Sequence, residues 1–284
     1  MKRWQVRLRL LFGMRNFNGA DMRGVDLSGL NLARCRFAGA NLNGVLLKGS
    51  LLDGADLSRA HLVGAQLGRA HLRGAELVGA NLKQADLAGA NLTQADARRA
   101  NLDGALLADA QLSRAQLTDS RMVGADLRRA QLADATLWDA KLERANCLQA
   151  DFSRASLDGA KLNRANLTRA NMVGAALCGA NLTKAVMWDA KLENVRLGGA
   201  KLAEVAIETR GYRPRVVQLF QEAGVVSGPP PLPVRVVPAG RKGNSNTGVQ
   251  PRQSNGKAKK APSDGNLQKG RGNNKSGRKR SAAL

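Results

Sequence analysis

The residue types that carry chemistry in proteins are present in this chain but dispersed. His61 and His71 are two repeats of a short motif apart, and Cys35, Cys147 and Cys178 stand far from one another. None of them falls into the close pairs that hold zinc, and no nucleophile has a histidine and a carboxylate at a suggestive spacing. The 31 glycines recur at intervals instead of gathering into one loop between a strand and a helix, so no phosphate cradle is expected. No enzyme, cofactor or metal site is expected. Positive charge, in contrast, is abundant: 45 Lys and Arg stand against 22 Asp and Glu, a formal net charge of +23. Such an excess favours polyanionic partners without selecting a nucleotide sequence.

The element that must carry these charges is a repeat. Every fifth position from Phe17 to Ile207 is Leu, Phe, Met or Ile, with Ala97 and Cys147 as the exceptions. The second position before each of these is most often Ala, and Gly is frequent in the fourth place after Ala. A fixed short period outranks local propensity as evidence of fold. Positions five apart on an α-helix are rotated by about 140°, which would scatter the Leu places around its surface. A straight strand would send successive Leu places to opposite faces. The chain buries every Leu on one side only by turning once per repeat.

The motif itself, as in Ala80-Asn81-Leu82-Lys83-Gln84 and Ala90-Asn91-Leu92-Thr93-Gln94, resembles the pentapeptide-repeat family over about two-thirds of the chain. That resemblance implies an all-β fold, a right-handed quadrilateral β-helix: a solenoid in which four turns close each coil, with Leu and Ala inside. About ten coils at ~4.8 Å would make a rod of roughly 47 Å. The expected layout is an N-terminal cap over 1–14, the β-helix over 15–209, a C-terminal capping helix over 210–226, a Pro-rich linker over 227–238 and a disordered basic tail over 239–284. Alternation of Trp4, Val6, Leu8 and Leu10 with Gln5, Arg7 and Arg9 suggests a short strand laid across the first coil; a basic amphipathic membrane contact is the other reading. The C-terminal helix would cover the last coil with Val216, Val217, Leu219 and Phe220, which also suit a homodimer contact of the kind the resemblance implies.

With four repeats to a coil, positions 20 apart share one wall. One wall of the second half carries Arg121, Lys141, Arg144, Lys161, Arg164, Lys184 and Lys201 against Glu143 and Glu204, a net +5. This is either a solvated face or a site for a polyanion. His61 and His71 fall on opposite walls and cannot share a metal. Leu148, Val186 and Trp188 mark a candidate protein contact on another wall, with Trp138 outward elsewhere. Cys35 and Cys147 read as small buried hydrophobes. Asn recurs before Leu, where a short amide can bond nearby backbone or its equivalent one coil away. In the tail, Lys257, Lys259 and Lys260, then Arg278, Lys279 and Arg280, form clusters suited to phosphates.

These features point to a non-enzymatic scaffold or binding protein, anchored by its basic wall and tail to nucleic acid or a ribonucleoprotein, with a further protein partner not identified by the sequence. The resemblance supplies an alternative, protection of DNA gyrase or another type II topoisomerase. Duplex mimicry there implies an acidic rod, whereas residues 1–209 carry a net +9. An effector or membrane-peripheral protein is a third reading. No apolar run is long enough for a transmembrane segment, and a cytoplasmic location is expected.

Overall fold

The computed structural model describes residues 1–207 together with Val217, Gln218 and Phe220. The Pro-rich segment and the basic tail lie outside them, as does most of the expected C-terminal helix. Val217, Gln218 and Phe220 are helical.

Each repeat makes one turn, and the hydrogen bonds show how. In the repeat that ends at Val45, the Val45 amide donates to the Leu42 carbonyl at 3.1 Å, closing a tight turn. The position before its end, Gly44, has φ +65°. A positive φ at the third turn position alone is the signature of a type II turn. The Asn41 amide donates to Ala20 at 2.9 Å, and the Leu42 and Gly44 amides donate to His61 and Val63 at 2.7 and 2.9 Å. Bonding partners therefore lie about four repeats away, in the preceding or the next coil, and the pattern recurs along the chain as stacked coils.

One amide per repeat, in the third place after Ala, has no backbone acceptor. In many repeats a side chain supplies one, in two ways. Asn or Asp in the first place takes it within the turn, as Asn91 Oδ1 does from Thr93 and Asp151 Oδ1 from Ser153, at 3.0 and 2.9 Å. Asn or Asp in the third place takes it from the next coil, as Asn43 Oδ1 does from Val63 at 2.9 Å. The recurrent Asn is thus a backbone acceptor within its turn. It also bonds one coil away, as Asn166 does by donating to Asn146 at 3.3 Å.

The all-β class is overturned. Among the described residues there is no strand: the coils meet through isolated parallel bridges, one per repeat, from Asn16↔Arg36 to Val186↔Ala206. A right-handed β-helix or solenoid with extended walls is therefore not what the chain forms. The reason lies within the repeat. The turn runs from Leu to the next Ala, so a single position is left between turns to pair with a neighbour. An extended strand needs several in succession.

The N-terminal strand is also corrected. Residues Arg3–Leu11 form a helix, α1. The Lys2 amide donates to Gln5 Oε1 at 2.7 Å at its start. At its end the Gly13 amide donates to Leu10 and the Met14 amide to Arg9, with Gly13 at φ +69°. This is a Schellman stop, which glycine permits because it has no Cβ to clash. Val6 is fully buried, and Leu10, one turn on, packs against the core. The helix also covers acceptors that the first coil has no preceding coil to satisfy: Arg3 donates to the carbonyls of Asp26 and Ser28 at 2.9 and 3.1 Å.

All Leu places from Phe17 to Ile207 are buried in one continuous core, which also contains Phe220. Phe17 and Phe37, one coil apart, stack with centroids 5.3 Å apart. Cys147 is fully buried, its thiol pushed up to about 12 by loss of water, and is a small hydrophobe by environment.

Candidate polyanion-binding wall

The bridge pattern places two columns of basic residues side by side. Arg121, Lys141 and Lys161 follow one another in the first place after Ala, paired Arg121↔Lys141 and Lys141↔Lys161, and Lys201 continues the column beyond Asn181. Arg144, Arg164 and Lys184 occupy the fourth place of the same wall, all with left-handed backbone at φ 58°, 62° and 61°. That conformation costs a residue with a Cβ roughly 1–2 kcal/mol, so each of these side chains occupies a place that glycine would fill more easily. Neighbours in a column are one coil, about 4.8 Å, apart.

Elsewhere the same fourth place is neutralised from coil to coil. Arg129 meets Asp109 at 2.6 Å, Arg154 meets Asp134 at 2.7 Å and Arg169 meets Asp189 at 3.3 Å, each pair on adjacent coils. The guanidinium bonds hold the carboxyls of Asp109 and Asp134 below the usual range. On the basic wall, charges of one sign follow each other instead. Two of its seven basic residues are paired, Arg121 with Asp103 at 2.6 Å and Lys184 with Glu204 at 3.3 Å. Among the described residues Lys141, Arg144, Lys161, Arg164 and Lys201 have no acidic partner. Glu143, between the columns, keeps one carboxylate oxygen buried without a hydrogen-bond partner.

The other sequence-selected positions separate. Trp188 is 6% exposed and its indole nitrogen is buried without a partner, so it is not the outward contact expected beside half-buried Leu148 and Val186. Its place in the repeat is an outward one, and the periodicity does not anticipate its burial. Trp138 is 50% exposed. His61 and His71 are exposed in different columns, bridged to Asn81 and Asn91 respectively. Phe220 is buried and Val217 half-buried, while Val216 and Leu219 lie outside the described residues. So do Lys257, Lys259, Lys260, Arg278, Lys279 and Arg280. No group of three metal-ligating side chains occurs among the described residues, and no helix there is long and apolar enough to cross a membrane.

Sequence reasoning misses the opposite-sign ladder, although its signal, Asp and Arg one coil apart in the fourth place, is visible in the chain. For residues 1–14 it offers a strand cap or a basic amphipathic membrane contact, without separating the inward side of α1 from the outward one, where Trp4, Leu11 and Phe12 are 61%, 79% and 67% exposed.

Known proteins share this repeat. A family model described as Pentapeptide repeats matches in eight copies between residues 16 and 199. Among solved structures, the chain is 31% identical to HetL, a pentapeptide repeat protein involved in heterocyst differentiation regulation from the cyanobacterium Nostoc sp. strain PCC 7120. That match covers 72% of this chain and 96% of HetL, with a TM-score of 0.49. It is 22% identical to QnrB1, a plasmid-mediated fluoroquinolone resistance protein, over 69% of this chain and 94% of that one, with a TM-score of 0.41. A pentapeptide repeat protein of the Arabidopsis thaliana thylakoid lumen is 25% identical over 43% of this chain and 75% of its own, with a TM-score of 0.18. Among curated proteins none matches.

Proposed function

The chain belongs to the pentapeptide-repeat family, whose members are non-catalytic, and from that premise we propose that it is a binding protein that docks nucleic acid, free or in a ribonucleoprotein, along its basic wall. The observation that carries this reading is the repetition of one sign of charge in two adjacent columns, Arg121–Lys141–Lys161 and Arg144–Arg164–Lys184, where other walls pair Arg with Asp. Like charges this close repel, and salt weakens that repulsion without removing it. A polyanion laid across them turns the repulsion into attraction and releases its own counterions. The basic residues that follow the repeats would add charge-driven affinity with little selectivity.

The test is capture of partners from a lysate by the full chain, with and without nuclease. Loss of most partners after nuclease treatment supports the reading. Retention of the same partners, with little dependence on salt, opposes it.

A second reading rests on the family resemblance: some members act on type II topoisomerases. Mimicry of duplex DNA asks for an acidic surface, and this wall has the opposite sign. Supercoiling by purified gyrase, with and without excess protein, separates the two. No change removes the topoisomerase reading, and altered supercoiling or inhibitor sensitivity without DNA retention by the protein favours it.

A further inference from the structure

We infer that the outward face of α1 is a docking surface for an anionic lipid bilayer. Val6 and Leu10 fill the inward side of the helix, which leaves Trp4, Leu8, Leu11 and the adjoining Phe12 as a second apolar stripe at helical spacing. These side chains are 61%, 46%, 79% and 67% exposed. Trp4, Leu8 and Leu11 border an open groove of about 750 Å³ that continues onto Leu30 of the repeats. Buried core and exposed stripe thus lie on opposite sides of one short helix. The inward side explains why the helix is there; it does not explain why the other side is apolar.

The charge around the stripe selects its occupant. Residues 1–20 contain Lys2, Arg3, Arg7, Arg9 and Arg15 and no acidic residue. Asp21 and Asp26, the acidic groups on the adjoining coil, are already engaged, Asp26 by Arg3 at 2.8 Å and Asp21 by Arg23 at 2.8 Å. Lys2, Arg7, Arg9 and Arg15 therefore have no acidic partner among the described residues. A second copy of the chain would bring two such basic rims together, which opposes a symmetric contact through this face. A bilayer with anionic headgroups offers apolar depth for Trp, Leu and Phe and negative charge for the rim at once. Trp4 suits the headgroup boundary, where an indole keeps its N–H wet.

The test uses the full chain and sedimentation with vesicles of phosphatidylcholine alone or with one-third phosphatidylserine. The variant Trp4→Ser/Leu8→Ser/Phe12→Ser keeps every charge, including those of the tail. A thermal melt confirms that it folds like wild type, since these side chains are largely outside the core. Binding of wild type to phosphatidylserine vesicles at about physiological ionic strength, at least tenfold weaker in the triple variant, supports the proposal. Equal binding by wild type and variant overturns it, because charge alone then accounts for association. Sedimentation velocity without vesicles supplies a second arm: a wild-type dimer absent in the variant would assign the face to a second copy and overturn the proposal. Retained vesicle binding in a basic-wall variant shows that this surface stands apart from the one proposed for nucleic acid.

Discussion

Two serines occupy the Ala place in the core, and replacing them should move stability in opposite directions. Ser50 and Ser120 are both fully buried. Ser50 Oγ donates to the Leu27 carbonyl at 3.0 Å, whereas Ser120 Oγ has no partner. Both places tolerate a methyl, since Ala fills them in most repeats. Ser120→Ala removes a desolvated hydroxyl with nothing to bond, which is worth about 1–2 kcal/mol of added stability. Ser50→Ala gives up a made hydrogen bond, at a net cost of about 0.5–1.5 kcal/mol. The assay is urea unfolding of the full chain followed by circular dichroism. With a urea dependence of about 3 kcal/mol/M at the steep end of the usual range, a change of about 1.5 kcal/mol moves the midpoint by about 0.5 M. The midpoint should rise for Ser120→Ala and fall for Ser50→Ala at unchanged slope. A fall for Ser120→Ala would refute the reasoning, since the hydroxyl would then have a partner in solution that the packed interior leaves no room for.

The left-handed fourth place predicts a contrast between two nearby glycines. Gly64 has φ +64° and open space where a Cβ would stand, so Gly64→Ala should cost about 1–2 kcal/mol through backbone strain alone. Gly68 is not left-handed and its Cβ would meet Ala88 O and Asp86 Oδ2 at an ordinary 3.8 Å, so Gly68→Ala should be neutral or stabilising by up to about 1 kcal/mol in the same unfolding assay. Asp21 is held down to about 2, first by its hydrogen bond from the Arg23 side chain and then by the Arg23 amide. Its folded value lies below the ordinary 3.8, so its contribution to stability is present above that pH and is lost as pH falls through about 2. Arg23→Gln should raise the Asp21 midpoint measured by NMR titration; an unchanged midpoint would show that the side-chain pair does not form. For the exposed pair Arg129–Asp109, a double-mutant cycle with Arg129→Gln and Asp109→Asn should give a weak favourable coupling that fades at high salt, and a coupling indifferent to salt would contradict its exposure.

What the sequence made legible was the interior. A period of five with Leu and Ala in set places names every core position from Phe17 to Ile207, because only one direction in each repeat excludes water. The role of Asn follows from the same logic, since a short amide beside a turn finds backbone to bond. The class of structure does not follow. The motif Ala-Asn-Leu-X-X suggests extended walls joined at corners, yet a type II turn from Leu to Ala leaves one position per repeat to bridge. At the N-terminus, Trp4, Val6, Leu8 and Leu10 alternate as a strand would, but only Val6 and Leu10 face inward. The helix formers Arg, Leu and Gln and the stop at Gly13 decide the matter locally. Trp188 escapes the pattern: its place in the repeat is an outward one, yet the residue is buried. The basic wall becomes legible only when positions 20 apart are placed in one column.

The basic wall is tested most directly by the salt dependence of nucleic-acid binding by the full chain, compared between two variants that lose the same charge. Lys141→Gln/Lys161→Gln/Arg164→Gln acts on the wall, and Arg59→Gln/Arg69→Gln/Arg114→Gln removes exposed arginines elsewhere on the coils. Each phosphate contact adds about 0.7–0.9 to the slope of log affinity against log salt. The wall variant should therefore flatten that slope by about 2–3, while the control leaves it nearly as in wild type. Equal slopes for the two variants would show that net charge, not the wall, holds the polyanion.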